Sequence, residues 1–175
     1  MKKNNLERYF SLLRSQIQVF AQDQMIIEAM YGFSNAFKMV DVDANAVFSA
    51  ADFENMKVHV RNFYNTSFIN LLNSNLNLNK TVDGFMTDNL KTNILQYIYI
   101  SNNPNPIGAK SLLNKTTEGG MYSEVHGDYH KNIREYADRF NIEDIYLVDE
   151  KNGNVVYSVS KKVDFATNLQ IISKN

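Results

Sequence analysis

Two histidines, His126 and His130, stand four residues apart in a stretch of helical periodicity, with Asp128 between them. Residues four apart share one helix face, so both imidazoles point the same way, and that pairing suits Zn²⁺ or Ni²⁺. A zinc-protease helix needs Glu directly after the first His, and this chain has Gly127 there. With no third ligand in the pattern, the metal reading of His126 and His130 is thin. The expected work of His130 is to cap or pack its helix against the strands that follow. Asp144 and Asp149 bracket a strand-like run and Asp164 follows the next one. Paired carboxylates support acid–base chemistry, but Asp at strand ends is ordinary turn chemistry. No GxSxG, P-loop or GxGxxG pattern is present, and Gly119-Gly120 lacks the Lys-Ser/Thr of a phosphate cradle. Cysteine is absent, which excludes disulfides, CxxC metal sites and thiol catalysis. The chain is therefore read as a binding protein rather than an enzyme, with no cofactor. Tyr146 and Tyr157, expected as cross-strand neighbours, would line a small-molecule pocket with His130, Arg134 and Asp164.

The elements that must position these residues follow from periodicity. From Leu6 to about Met39 apolar residues recur at helical spacing, with Gly32 the only breaker. Leu6, Phe10, Leu13, Ile17 and Phe20 form a heptad-like stripe, which suits either burial in the same domain or pairing with a second copy. Such a helix would run roughly 50 Å, longer than a compact domain of this size requires, as a stalk would be. Asp41 to Asn45 reads as a turn. Ser49, with Asp52 three residues on, reads as a helix start, and that helix is expected to reach about Asn73. A further helix covers about Asp88–Ser101 and stops at Asn102-Asn103-Pro104-Asn105-Pro106. Another covers about Tyr122–Phe140. The period then changes to two: Asp144–Asp149 and Val155–Val159 read as strands joined by a turn with Gly153. The fold class is α+β. A lone hairpin is marginal, so it must pack on helix or find a third strand. The tail after Phe165 is too short for a large sheet, and the sheet is expected to be truncated or completed elsewhere. One domain, 1–175, is expected: a stalk-like helix over 1–40, a helical region over 41–140, and the hairpin with its following loop over 141–169.

Composition narrows the partners. Hydrophobic residues make up 44% and charged residues 21%, with 11 Phe and 10 Tyr, enough for a real core. The net charge of −1 and the lack of a basic stripe argue against nucleic acid. No run approaches the roughly 18–20 apolar residues needed to span a bilayer, so any membrane link would run through flanking helices.

An ordered series of residues then carries a resemblance. It comprises Asn103-Pro104-Asn105-Pro106-Ile107-Gly108 with Lys110, then Tyr122, His126, Tyr129-His130, Arg134 and Phe140. It continues with Asp144-Ile145-Tyr146-Leu147-Val148-Asp149, Gly153, Val156-Tyr157-Ser158-Val159, Lys161 and Asp164-Phe165-Ala166-Thr167-Asn168-Leu169. From Tyr97 to Leu169 the chain resembles the extracytoplasmic sensor region of bacterial chemoreceptors, sensor histidine kinases and nucleotide cyclases, the PDC or Cache class of PAS-like domains. The resemblance implies further helices packed on a C-terminal antiparallel PAS-like sheet, and a periplasmic place in an inner-membrane protein. It also implies a small-molecule or periplasmic protein ligand at the helix–sheet junction, signalling as a homodimer, and relay through the N-terminal helix. The rival expectation is a stand-alone helical adaptor or effector that binds another protein.

Overall fold

The computed structural model describes residues 2–172, with side chains from 4 to 170; Met1 and residues 173–175, the ends of the expected single domain, lie outside the described residues. The chain opens with two helices, α1 (Lys2–Gln22) and α2 (Gln24–Asn45). The expected continuous stalk is thus broken, and at Asp23 rather than Gly32. Asp23 takes extended backbone angles and its carboxylate accepts the Met25 N–H at 2.9 Å, a helix start in the middle of an uninterrupted apolar stripe. Gly32 stays helical, and its lack of a side chain lets α2 lie close along α6 (Gly120–Phe140): a Cβ there would come within 3.1 Å of the Val125 side chain.

The C-terminal end of α2 runs through the expected turn at Asp41–Asn45 because both acids find distant partners. Asp41 pairs with Lys91 at 2.9 Å, and the Asp43 carboxylate accepts the Met121 N–H at 2.9 Å. The second contact satisfies one of the orphan donors at the start of α6, where negative charge is favoured.

Helix α3 (Ala50–Tyr64) begins with the capping box read from the sequence, Ser49 and Asp52 each accepting the other's backbone N–H. It continues through a π-helical turn (Asn65–Ile69) into α4 (Asn70–Leu76), which ends on Asn77 in the left-handed region. Helix α5 (Leu90–Gln96), capped by Asn89, packs on α3 and runs into a second π-helical turn (Tyr97–Ser101).

Strands β1 (Tyr146–Val148) and β2 (Val155–Ser158) pair antiparallel, with a bulge between Leu147 and Val148. All four β2 residues are buried although only one strand pairs with it in full. Helix covers the hairpin, with Phe33 of α2 4.5 Å from the Tyr157 ring. The chain after Phe165 touches the start of β2: Val155 N–H donates to Thr167 O, and Leu169 N–H to Gly153 O, before a short helix, α7 (Leu169–Ile172). The tail adds one isolated bridge, Asn154 to Asn168, and no third strand among the described residues. The fold is α+β with helices dominant and, among the described residues, a two-stranded sheet. Among the described residues no helix is long and apolar enough to cross a membrane.

Helix α1 stands apart from this core. Leu6, Tyr9, Phe10, Leu12, Ile17 and Val19 are all exposed, and Phe20 makes its ring contact with Tyr136 at 4.4 Å.

One junction is unusually intolerant. Gly120 has φ +52, and a Cβ on it would fall 2.5 Å from the Asp43 carboxylate. Gly120→Ala is expected to lower stability by about 2 kcal/mol or more, from left-handed strain plus loss of the Asp43 contact. Urea unfolding measures it; a midpoint equal to that of wild type would refute the α2–α6 junction.

Candidate functional site

Helix α6 carries Tyr122, His126, His130 and Arg134 at steps of four, so they lie along one face. That face meets the core, and the first three are fully buried. The Tyr122 hydroxyl donates to Val156 O at 2.7 Å. His126 Nδ1 lies 2.7 Å from Asn114 O, and His130 Nε2 lies 2.6 Å from Ser111 O. A carbonyl oxygen only accepts, so each of these nitrogens carries the proton. In a neutral ring His130 Nδ1 is then the acceptor, and the Tyr157 hydroxyl donates to it at 2.7 Å. Arg134 adds a second donor to Ser111 O at 2.8 Å. Two imidazoles and a guanidinium thus hold carbonyls of the 111–114 stretch before α6, while Tyr157 ties the same cluster to β2.

Both rings are neutral. Burial is the main cause, lowering His126 well below the ordinary histidine range and His130 to about 3; the nearby positive charge of Lys161 acts in the same direction. The rings stack with centroids 4.2 Å apart. This geometry works against the metal reading. Both nitrogens of His130 are engaged, the His126 donor points at backbone, and Asp128 sits exposed on the opposite face. Among the described residues no three His, Cys, Asp or Glu gather as metal ligands. His126 Nε2 has no hydrogen-bond partner.

Beside this pair lies a residue the sequence reading passed over as a site. Lys161 is 2% exposed and has φ +55, a left-handed backbone rarely taken by lysine. Its amine donates to Ser158 O and sits 4.3 Å from the Tyr157 ring centroid, 5.2 Å from that of Phe165 and 5.8 Å from that of Tyr99. Aromatic faces favour the cation, but no carboxylate pairs with it, and burial pushes its proton affinity well below that of an ordinary lysine. Asp144 opposes this only through longer-range attraction. Its Oδ1 accepts the N–H groups of Ile145, Val159 and Ser160, while Asp149 organises the hairpin turn through Lys151 and Asn152.

The five residues expected to line one pocket fall into two groups. His130, Tyr157 and Arg134 converge around Ser111 O. Tyr146 and Asp164 meet elsewhere, the tyrosine hydroxyl donating to the carboxylate at 2.7 Å on an exposed face. Tyr146 and Tyr157 are not cross-strand partners. Leu147 opposes Tyr157 and Tyr146 opposes Ser158, a one-residue offset that puts the two tyrosines on opposite faces.

The open space lies beside the buried cluster. A cavity of about 560 Å³ sits between the end of α3, the 107–111 stretch, the end of α6 and the 159–163 stretch. Phe63, Phe68, Ile100, Ile107, Ile142 and Val159 supply apolar walls, and Lys110, Ser111 and Lys161 also line it. Lys110 is 8% exposed; its amine donates to Asn103 O at 2.8 Å and lies 5.3 Å from the Phe63 ring centroid. Asn103 in turn donates to Tyr99 O and Lys110 O, so the Asn-Pro-Asn-Pro stretch is built around it. A second cavity of about 410 Å³ includes Tyr64, Thr92, Gln96, Asn154, Asp164 and Asn168. Of the expected ligand residues only Asp164 lines either cavity.

No protein-family model, no curated protein and no solved structure matches the chain.

The neutral imidazoles set a pH dependence. Between about 3 and 6.5 the unfolded chain binds histidine protons that folded His130 refuses, so stability must fall as pH drops through that window. His126, shifted the same way, adds to the slope. Denaturant midpoints are expected to decline from pH 7 to pH 5, before carboxylates with ordinary pKa values near 4 begin to titrate. A flat profile from pH 7 to pH 5 would contradict neutral burial of the pair.

Proposed function

We propose that the chain is the extracytoplasmic ligand-sensing input domain of a bacterial inner-membrane receptor, whose output is a histidine kinase, a chemoreceptor module or a nucleotide cyclase. The observation that carries this reading is the division of labour around α6. The titratable residues are engaged with backbone carbonyls and with each other, while an open, largely apolar cavity with a buried amine lies beside them. A general base needs a proton affinity near the working pH and access to a substrate proton. These histidines are buried, and burial lowers their proton affinity well below the ordinary histidine range. Binding, not catalysis, is the chemistry on offer.

The resemblance from Tyr97 to Leu169 supports the receptor class, and with it the expectation that the small sheet is the beginning of a PAS-like one. In this reading a ligand shifts the population between two packings of α6, the hairpin and α2, and α1 carries the displacement toward the membrane. The exposed stripe of α1 supports pairing with a second copy. Leu6, Phe10, Leu13, Ile17 and Phe20 recur at alternating steps of four and three, the repeat of a left-handed two-helix supercoil. The same stripe supports the rival reading, an adaptor or effector that binds a different protein through α1.

Sequencing the DNA on either side of these codons tests the receptor reading. Apolar segments of about 20 residues before and after the domain, with a signalling module beyond, are the expected result. Stop codons tightly flanking these codons would overturn it in favour of the adaptor. Sedimentation equilibrium tests the pairing. The wild type is expected to dimerise with rising concentration, and Phe10→Glu with Ile17→Glu to stay monomeric without loss of helicity, since both side chains are exposed. A wild type that remains monomeric throughout would refute pairing through α1.

A further inference from the structure

The larger cavity is chemically lopsided. Its walls are apolar on most sides, and its two carboxylates are poorly placed to offset a buried positive charge. Glu143 is engaged by Lys162, and Asp138 is exposed. The Lys161 amine turns away from the cavity toward Tyr157, Tyr99 and Phe165, none of which lines it. Lys110 is different. Its amine lies over the ring of Phe63, itself a wall residue, and no carboxylate among the described residues lies within ion-pair distance of it.

An ammonium group has three donors. Asn103 O takes one. The Phe63 face offers attraction but no lone pair, so two donors and a full charge remain to be met at the cavity wall. A carboxylate meets both needs at once, through charge-assisted hydrogen bonds. A neutral alcohol supplies an acceptor without the charge, and an amine would add like charge. Because Lys162 is already paired with Glu143 and the Lys161 amine is turned to its aromatic rings, a dianion such as phosphate would bring more negative charge than Lys110 alone offsets. The volume of about 560 Å³ lies within the range of small-molecule sites and exceeds what a carboxylate alone would fill, so the rest of the ligand must match the apolar walls.

We propose that this cavity takes an amphipathic organic monoanion, its carboxylate on Lys110 beside Ser111 and its aliphatic or aromatic body against Phe63, Phe68, Ile142 and Val159. The inference rests on the ligand-sensing reading above and names the ligand class of that site. Burial lowers the proton affinity of Lys110 from the ordinary lysine value. A bound carboxylate raises it again, so binding is tightest where Lys110 is protonated and weakens toward alkaline pH.

The test is a titration of the full chain with three probes of equal length, hexanoate, hexan-1-ol and hexylamine, followed by NMR of the Ile and Val methyls and the Phe rings. Hexanoate is expected to shift Ile100, Ile142, Val159 and Phe63 together, and to bind at least tenfold more tightly than the other two. Lys110→Met keeps the apolar stem, removes the charge, and is expected to level the three probes. The charge series on the wild type stands even if that variant fails to fold, since Lys110 also holds Asn103 O. Hexanol or hexylamine binding at these residues as well as hexanoate, or better, overturns the anion while leaving a ligand-sensing cavity in place. No probe of any charge moving these resonances overturns both.

Discussion

The carbonyl oxygens of Ser111, in a short 3-10 turn, and of Asn114, just after it, face helix α6 and need donors there. Helix α6 supplies those donors from three side chains on one face, and much else follows from that single requirement. Because carbonyls only accept, the proton positions on both imidazoles are fixed. In the neutral His130 ring one nitrogen donates, so the other must accept, and the Tyr157 hydroxyl on β2 donates to it. Loop, helix and strand are thereby joined through one aromatic ring. Residues 107–111 form one wall of the larger cavity and residues just after β2 form another, so its shape depends on the same clasp.

Charge is distributed to suit this arrangement. The imidazoles remain neutral beside Lys161, which has aromatic faces and a carbonyl but no paired acid. An imidazolium next to that amine would put two like charges in a dry core, a costly state. Lys110 and Lys161 both line the cavity without a paired acid among the described residues, but the Lys161 amine is enclosed by three aromatic rings while that of Lys110 lies over Phe63, a wall residue. Structural and binding roles thus fall to different lysines of the same region, which is why the proposed ligand chemistry centres on Lys110 rather than on the histidines.

Much of the architecture was legible in the sequence. The 3.6-residue period marked the helices, Ser49 and Asp52 marked the start of α3, and Gly153, at φ +70, marked the hairpin turn. His130 does pack its helix onto the hairpin, as its position suggested. What could not be read locally was set by distant partners. Asp23 interrupts a stripe that is apolar on both sides of it. Asp41 and Asp43 look like a turn until Lys91 and Met121 arrive from other helices. The bulge in β1 and the register it sets separate Tyr146 from Tyr157. Lysine is among the residues least often buried, so Lys110 and Lys161 gave no sign of their positions. The cavity is assembled from segments nearly a hundred residues apart, Phe63 to Val159, and no local pattern encodes it.

The clasp at α6 is best examined by ¹⁵N NMR of the histidine side chains, which reports protonation and tautomer at each ring nitrogen. His126 is expected to carry its proton on Nδ1 and His130 on Nε2, with neither titrating between pH 8 and pH 5. If both rings titrated near pH 6.5, as solvated histidines do, the imidazoles would be free for proton chemistry. The division between a structural cluster and a binding cavity would then be wrong.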